Sequence, residues 1–203
     1  MSWKGEKAVR VIAGVAKGRM LKAVPGNQTR PTTDKVKEAI FSMIGPYFDG
    51  GAALDLFAGT GGLGLEAWSR GAEKVVFVDR EQASIAVIRA NVQAAGAEEA
   101  SEIYRNDAER ALKALAKRGI RFSYVFLDPP YRLKTMDAVM AELSRQDMLE
   151  DGAAIVVEHD AKHEYGELDG PFTLMRSAKY GDIAVSIYHF ELEERPNRGE
   201  TDA

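Results

Sequence analysis

The 203-residue sequence contains no cysteine. No disulfide and no thiolate metal site can form, and an intracellular setting is compatible with that composition. No apolar run reaches the length of a membrane span, and the stretch Met-Ser-Trp-Lys-Gly-Glu-Lys at residues 1–7 has no signal-peptide core. The expectation is a cytoplasmic protein with no membrane association. Internal repeats and low-complexity segments are also missing, which excludes solenoid architectures. What remains is ordinary for a globular chain: 45% hydrophobic and 29% charged residues, enough for one domain with a full core.

The net charge of −4 is unevenly spread. Residues 1–37 hold nine Lys or Arg against two acids, +7 there and −11 over the remainder. A basic arm on an acidic body points to a nucleic-acid contact, although a solvated surface face would show the same asymmetry.

One stretch organises the chain: Leu54-Asp-Leu-Phe-Ala-Gly-Thr-Gly-Gly-Leu-Gly-Leu-Glu-Ala67. Residues 53–57 read as a short buried strand and 62–70 as a helix that Gly71 stops. The glycine-rich turn between them lets a ligand approach the backbone, and the helix start offers free N–H groups. Gly59, Gly61 and Gly64 fit G-x-G-x-x-G, and Asp79 follows Gly59 by twenty positions. That is a dinucleotide fingerprint, but a weak one, and a tight turn that binds nothing has the same letters. The rest of the chain must choose the ligand.

The flanking sequence predicts the architecture. Val9–Ala13 and Arg19–Val24 read as the strands of a hairpin. A helix follows, capped by Thr32 or Thr33, with Asp34 in its first turn and Gly45-Pro46 at its end. Strands are expected at 74–78, 102–105, 122–127 and 153–157, with helices at 82–95, 108–117 and 135–146. Residues 172–176 and 183–190 flank a Gly181-Asp182 turn and read as a closing hairpin. The predicted fold is α/β: a Rossmann-like, seven-stranded, mostly parallel sheet with helices on both faces, a C-terminal antiparallel hairpin and an N-terminal β-hairpin extension. Residues 1–28 form the basic extension, 29–190 the main domain and 191–203 a polar, frayed tail.

Four acids fall where successive strands stop: Asp55, Asp79, Asp107 and Asp128. In an open α/β sheet those ends share one crevice. Asp79 suits the ribose hydroxyls of a ligand, because a carboxylate accepts from both. Asp107 suits an exocyclic amine such as adenine's. Asp128-Pro-Pro-Tyr131 is the sharpest motif: two prolines remove N–H donors and leave a carboxylate, exposed carbonyls and an aromatic face. Such a site fits a planar base presenting an amino group. His159 and His163 stand four apart, but nothing completes a metal site, and no metal is expected.

At this point the chain resembles a class I S-adenosylmethionine-dependent methyltransferase of the amino-group type. Asp55-Leu-Phe-Ala-Gly-Thr-Gly61 is similar to the cofactor motif, and Asp128-Pro-Pro-Tyr131 to the catalytic motif. Arg10-Val-Ile-Ala-Gly14, Lys17-Gly-Arg19 and Thr29-Arg-Pro-Thr-Thr-Asp-Lys-Val-Lys-Glu-Ala-Ile-Phe-Ser42 resemble the bacterial family that methylates the 2-amino group of one guanine in 16S ribosomal RNA. The resemblance runs from about Arg10 to Phe190. It implies S-adenosyl-L-methionine as cofactor, held by Asp55, Phe57, Gly59, Gly61, Asp79, Arg80, Asp107 and Ala108. It implies Asp128, Pro129, Pro130 and Tyr131 as catalytic residues. It also implies RNA contacts from Arg10, Lys17, Arg19, Lys22 and Arg30, and a monomer acting on a small-subunit assembly particle. Three other readings stay open: methylation of another nucleic-acid base, a dinucleotide-dependent oxidoreductase, and a non-catalytic RNA-binding module.

Overall fold

The computed structural model describes residues 9–25, 32–129, 136–163, 165–166, 168 and 170–192. The chain runs β1 (Val9–Arg10), β2 (Met20–Leu21), α1 (Asp34–Ile44), β3 (Ala52–Asp55), α2 (Gly62–Ser69), β4 (Lys74–Asp79) and α3 (Gln82–Ala95). It continues with β5 (Ser101–Arg105), α4 (Ala108–Ala116), β6 (Phe122–Leu127), α5 (Met136–Arg145), β7 (Leu149–Asp160), β8 (Phe172–Tyr180) and β9 (Ile183–Phe190).

Seven strands form one sheet in the order β5-β4-β3-β6-β7-β9-β8. The pairs β5–β4, β4–β3, β3–β6 and β6–β7 are parallel, and β9 runs antiparallel to β7 and β8. The chain builds outward from β3 in one direction, then restarts at β6 in the other. The gap between the carboxyl ends of β3 and β6 is therefore the topological switch point, where α/β sheets bind ligands.

Strand alternation divides the core. Val75 and Phe77 face one side with Ile40 and Phe41 of α1, Leu65 of α2 and Ile88 of α3. Val76 and Val78 face the other, with Leu112 of α4 and Met140 and Leu143 of α5. Both faces are covered, which explains why the central strands are continuously apolar. Phe77, Val76 and Val125 are fully buried, and each such side chain contributes about 1.5–3 kcal/mol of hydrophobic stabilisation.

The N-terminal hairpin is shorter than its sequence suggests. Only Val9–Arg10 and Met20–Leu21 pair as strands, not the whole of 9–13 and 19–24. The neighbouring amides are satisfied elsewhere. Ile12 and Ala13 donate to the Glu66 carboxylate at 2.7 and 3.0 Å, and Lys22 donates to the Asn91 side chain at 2.7 Å. Ser69 accepts from the Ala16 amide and donates to the Ala13 carbonyl. Gly14, at φ +81°, lies so close to the Ser69 carbonyl that a Cβ would overlap it. Val9, Val11 and Leu21 complete the packing by entering the same core as α1–α3.

Glu66 has no exposed surface and gathers two cations. Arg70 donates to it at 2.8 Å, and the Lys37 ammonium lies 3.5 Å away and also donates to the Arg10 carbonyl. Arg70 sits over the Phe41 ring and reaches the Pro46 carbonyl. Burial pushes the Lys37 ammonium below its ordinary pKa, against the pull of Glu66. Lys37 is thus part of the interior, a correction to its place in the basic surface arm.

Among the described residues no helix is long and apolar enough to cross a membrane.

Candidate active site

The glycine turn is built by carboxylates. Asp55 ends β3, is 2% exposed, and accepts from the Gly64 amide in the first turn of α2 at 2.9 Å. Burial raises its carboxyl to about 7, partly offset by that amide. Gly61 caps α2 in the left-handed region at φ +78°, and a Cβ on Gly64 would collide with the Phe77 ring. The third glycine of the pattern therefore sets how closely helix and sheet pack. A Cβ on Gly59 would instead find open space, with nothing nearer than the Phe57 carbonyl at 4.0 Å.

Asp79 ends β4 and holds the same loop from the other side. One oxygen accepts from the Gly59 amide at 2.9 Å, the other from Glu81 at 2.8 Å. A carboxylate has about four lone-pair sites, so acceptor capacity remains for a diol. Asp107 lies beyond β5 and caps α4, accepting from the Arg110 amide at 2.9 Å with the Arg110 guanidinium at 3.5 Å. Phe57 and Ala108 pack half-buried on the α4–α5 side of the core, and Arg80 is exposed and pairs with Glu81. The eight sequence-predicted cofactor residues thus fall along the carboxyl ends of β3, β4 and β5.

Across the switch point, Asp128 follows β6 directly and Pro129 is buried. Pro130 and Tyr131 lie outside the described residues, as does Arg30. The structure adds a partner that sequence reasoning missed. Leu127 of β6 registers with Val157 of β7, so Asp128, just past β6, and Glu158, still within β7, stand at one level. Glu158 is 4% exposed and accepts from the Thr32 hydroxyl at 3.0 Å. Thr32 thereby ties the segment before α1 to the carboxyl edge of the sheet at Glu158, while Thr33 caps the helix through Val36. Its signal was present: a single acid closing an apolar run, Ala153–Val157, just as Asp128 closes Phe122–Leu127. Burial lifts the Asp128 carboxyl well above its ordinary range, and Glu158 and then Asp55 lift it further. Burial likewise raises Glu158 to about 7, against the Thr32 hydrogen bond.

That shift has a definite sign. A carboxyl with a raised folded pKa contributes its full stability below the unfolded value, here 4.5, and loses it as pH climbs through about 7. Glu158→Gln removes the titration. The melting temperature of the variant relative to the parent should therefore rise between about pH 5 and about pH 8, by several degrees, for up to about 3 kcal/mol. A difference that stays flat with pH rules out this titration.

Of the basic residues, Arg10 is held at 2.7 Å by Asp34, whereas Lys17, Arg19 and Lys22 have exposed side chains. His159 bonds the Asp160 carbonyl and the Ser186 hydroxyl and packs edge-on against Tyr165. No cluster able to hold a metal occurs among the described residues.

The whole arrangement has relatives. The family model described as conserved hypothetical protein 95 matches residues 9–189. YlbH of Bacillus subtilis, provisionally named an rRNA methyltransferase, is 52% identical over 180 residues, covering 89% of this chain and 98% of that one. Ribosomal RNA small subunit methyltransferase D of Escherichia coli K12 is 31% identical over 199 residues, covering 98% of this chain and 96% of that one. A solved Escherichia coli structure, provisionally named methyltransferase yhhF, superposes with a TM-score of 0.79 at 30% identity, covering 92% of this chain and 99% of that one.

Proposed function

The chain belongs to the conserved hypothetical protein 95 family, and from that premise we propose that it transfers a methyl group from S-adenosylmethionine to the 2-amino group of a guanine in 16S ribosomal RNA. The observation that carries this reading is the pairing across one switch point: a carboxylate-braced glycine turn on the β3–β4 side and an acidic, acceptor-rich strand end at Asp128 on the β6–β7 side.

The residues present fit such a cofactor. Gly59 leaves open space beside a backbone that a ligand can approach, and Asp79 has acceptor capacity for ribose hydroxyls. Asp55, Asp79, Asp128 and Glu158 gather at the carboxyl ends of β3, β4, β6 and β7, and a cation bound there favours the ionised form of carboxyls that burial raises. When bound, S-adenosylmethionine supplies an electrophilic methyl group on a positively charged sulfur.

The chain's own residues do the rest. A guanine amine is a poor nucleophile, because its lone pair is delocalised into the ring. Asp128 and the Pro129 carbonyl accept its two N–H bonds, which favours a pyramidal nitrogen and supports the positive charge that grows there. The proton then leaves to the Asp128 carboxylate or to solvent. Tyr131 stacks on the base, worth about 1–3 kcal/mol. The base is unpaired or flipped to enter. Lys17, Arg19, Lys22, Arg30 and, more weakly because of Asp34, Arg10 contact phosphates. The protein works in the cytoplasm as a monomer on a small-subunit assembly particle.

Mapping 2-methylguanine in 16S RNA from cells with and without the protein tests the reading. One guanine should lose its methyl group when the protein is removed, and an unchanged methylation map overturns the assignment. Asp79→Ala should weaken S-adenosylmethionine binding by about ten- to a hundredfold, the worth of a charge-assisted hydrogen bond. A dissociation constant that calorimetry finds unaltered removes Asp79 from the cofactor site.

A further inference from the structure

We propose that the cavity between the start of α1 and the β8–β9 turn binds one single-stranded RNA nucleotide adjacent to the target guanine, with phosphate at Lys35 and Lys179 and the base on Tyr180. The inference rests on the ribosomal RNA methyltransferase reading and extends it to a second point on the RNA.

The cavity has a volume of about 390 Å³ and is lined by Thr33, Lys35, Val36, Lys179, Tyr180 and Ile183, among others. That is within the roughly 300–1,000 Å³ typical of small-ligand sites, and it suits one nucleotide rather than a duplex. Its place in the fold ties it to the reaction. Ile183 registers with Asp160 and Val185 with Glu158, so the β8–β9 turn rises at the same carboxyl edge as the catalytic carboxylates. The other wall begins at Thr33, one residue after Thr32, whose hydroxyl holds Glu158. A strand of RNA leaving the Asp128–Glu158 edge on the side away from β3 and β4 meets this cavity next.

The chemistry of the lining selects the ligand. Lys35 and Lys179 are exposed and bring two positive charges to one hollow of a chain whose net charge is −4. Asp34, next to Lys35 in sequence, is engaged by Arg10 at 2.7 Å. Tyr180 is half-buried and packs against the core beside Ile183, which fixes its ring as a platform. Cations that take a phosphate, next to a fixed aromatic face, are the recurrent means of holding an unpaired nucleotide. The cofactor side of the switch point, at β3, β4 and β5, is a separate part of the edge.

The test uses the full-length protein and two substrates. Steady-state methyl transfer is measured on small-subunit particles lacking the modification, and anisotropy follows a labelled single-stranded RNA of mixed sequence across a salt series. The double variant Lys35→Ala, Lys179→Ala should raise the particle KM about tenfold and make the salt dependence of RNA binding shallower by about 0.7 for each phosphate left unneutralised. Tyr180→Leu should weaken RNA binding about tenfold, and Tyr180→Phe, which keeps the ring, should restore it. S-adenosylmethionine affinity, read by calorimetry, should match the parent in all three. If the parent methylates particles while the double variant keeps the parental KM and salt slope, this nucleotide site is wrong and the broader reading stands. If the parent transfers no methyl group to any RNA, the broader reading itself has failed.

Discussion

Asp128→Ala should lower single-turnover methyl transfer to small-subunit particles by about a hundred- to a thousandfold, with S-adenosylmethionine affinity nearly constant. The magnitude is that of removing one preorganised group aimed at charge that develops in the transition state. Such a group acts on kcat, because its partner charge is absent from the ground state. Asp128→Asn distinguishes two contributions. If accepting the amine hydrogens dominates, Asn is milder than Ala; if carboxylate charge dominates, the two are alike. Burial and the neighbouring Glu158 oppose charge on Asp128, which by itself favours the first outcome. Binding a cationic cofactor beside them favours the ionised form. Full activity in Asp128→Ala would reduce the strand exit to a rigid turn.

Glu66→Gln should cost about 3–5 kcal/mol of unfolding free energy, against the roughly 5–15 kcal/mol that holds a domain of this kind together. Each oxygen of Glu66 faces two donors: Ile12 and Lys37 on one side, Ala13 and Arg70 on the other. An amide must turn its N–H₂ toward one of these pairs, so a donor meets donors in a site with no exposed surface. It also leaves two buried cations without a counter-charge. Lys37→Met should be much milder, because Glu66 keeps Arg70 and both amides and the hydrophobic replacement fills the same interior space. Urea unfolding of the two variants checks this, and a loss below about 1 kcal/mol for Glu66→Gln contradicts the clamp.

How far the chain could be read in advance differed from element to element, for identifiable reasons. β6 matched residue for residue, because Phe122–Leu127 is apolar throughout and Asp128 stops it. α3 matched because Gly96 ends it in the left-handed region. β7 was expected at 153–157 but spans Leu149–Asp160, since its opening residues include exposed Glu150, Asp151 and Gly152. β8 extends past 176 to Tyr180 as an edge strand, where exposed polar residues are allowed and hide the pattern. The strand-end acids at Asp55, Asp79, Asp107 and Asp128 were legible from position alone. Glu158 closes its run in the same way, but its pairing with Asp128 comes from register with β6, a relation between segments far apart in the chain. The hairpin was overread for a related reason: the amides of Ile12, Ala13 and Lys22 bond to side chains of α2 and α3, not across the hairpin.

The hydrogen bonds of the N-terminal segment also impose an order on synthesis. The chain grows from its amino end, yet Ile12 and Ala13 wait for a carboxylate 54 and 53 residues later, and Lys22 for an amide 69 residues later. Thr32 waits longest, for a carboxylate 126 residues on. These residues are thus made well before their partners. Until Asn91 has emerged, the basic segment has no partner for Lys22 and travels as a positively charged tether. Residues 12–22 can dock once Asn91 is out, whereas the Thr32 contact closes only after β7 has been made.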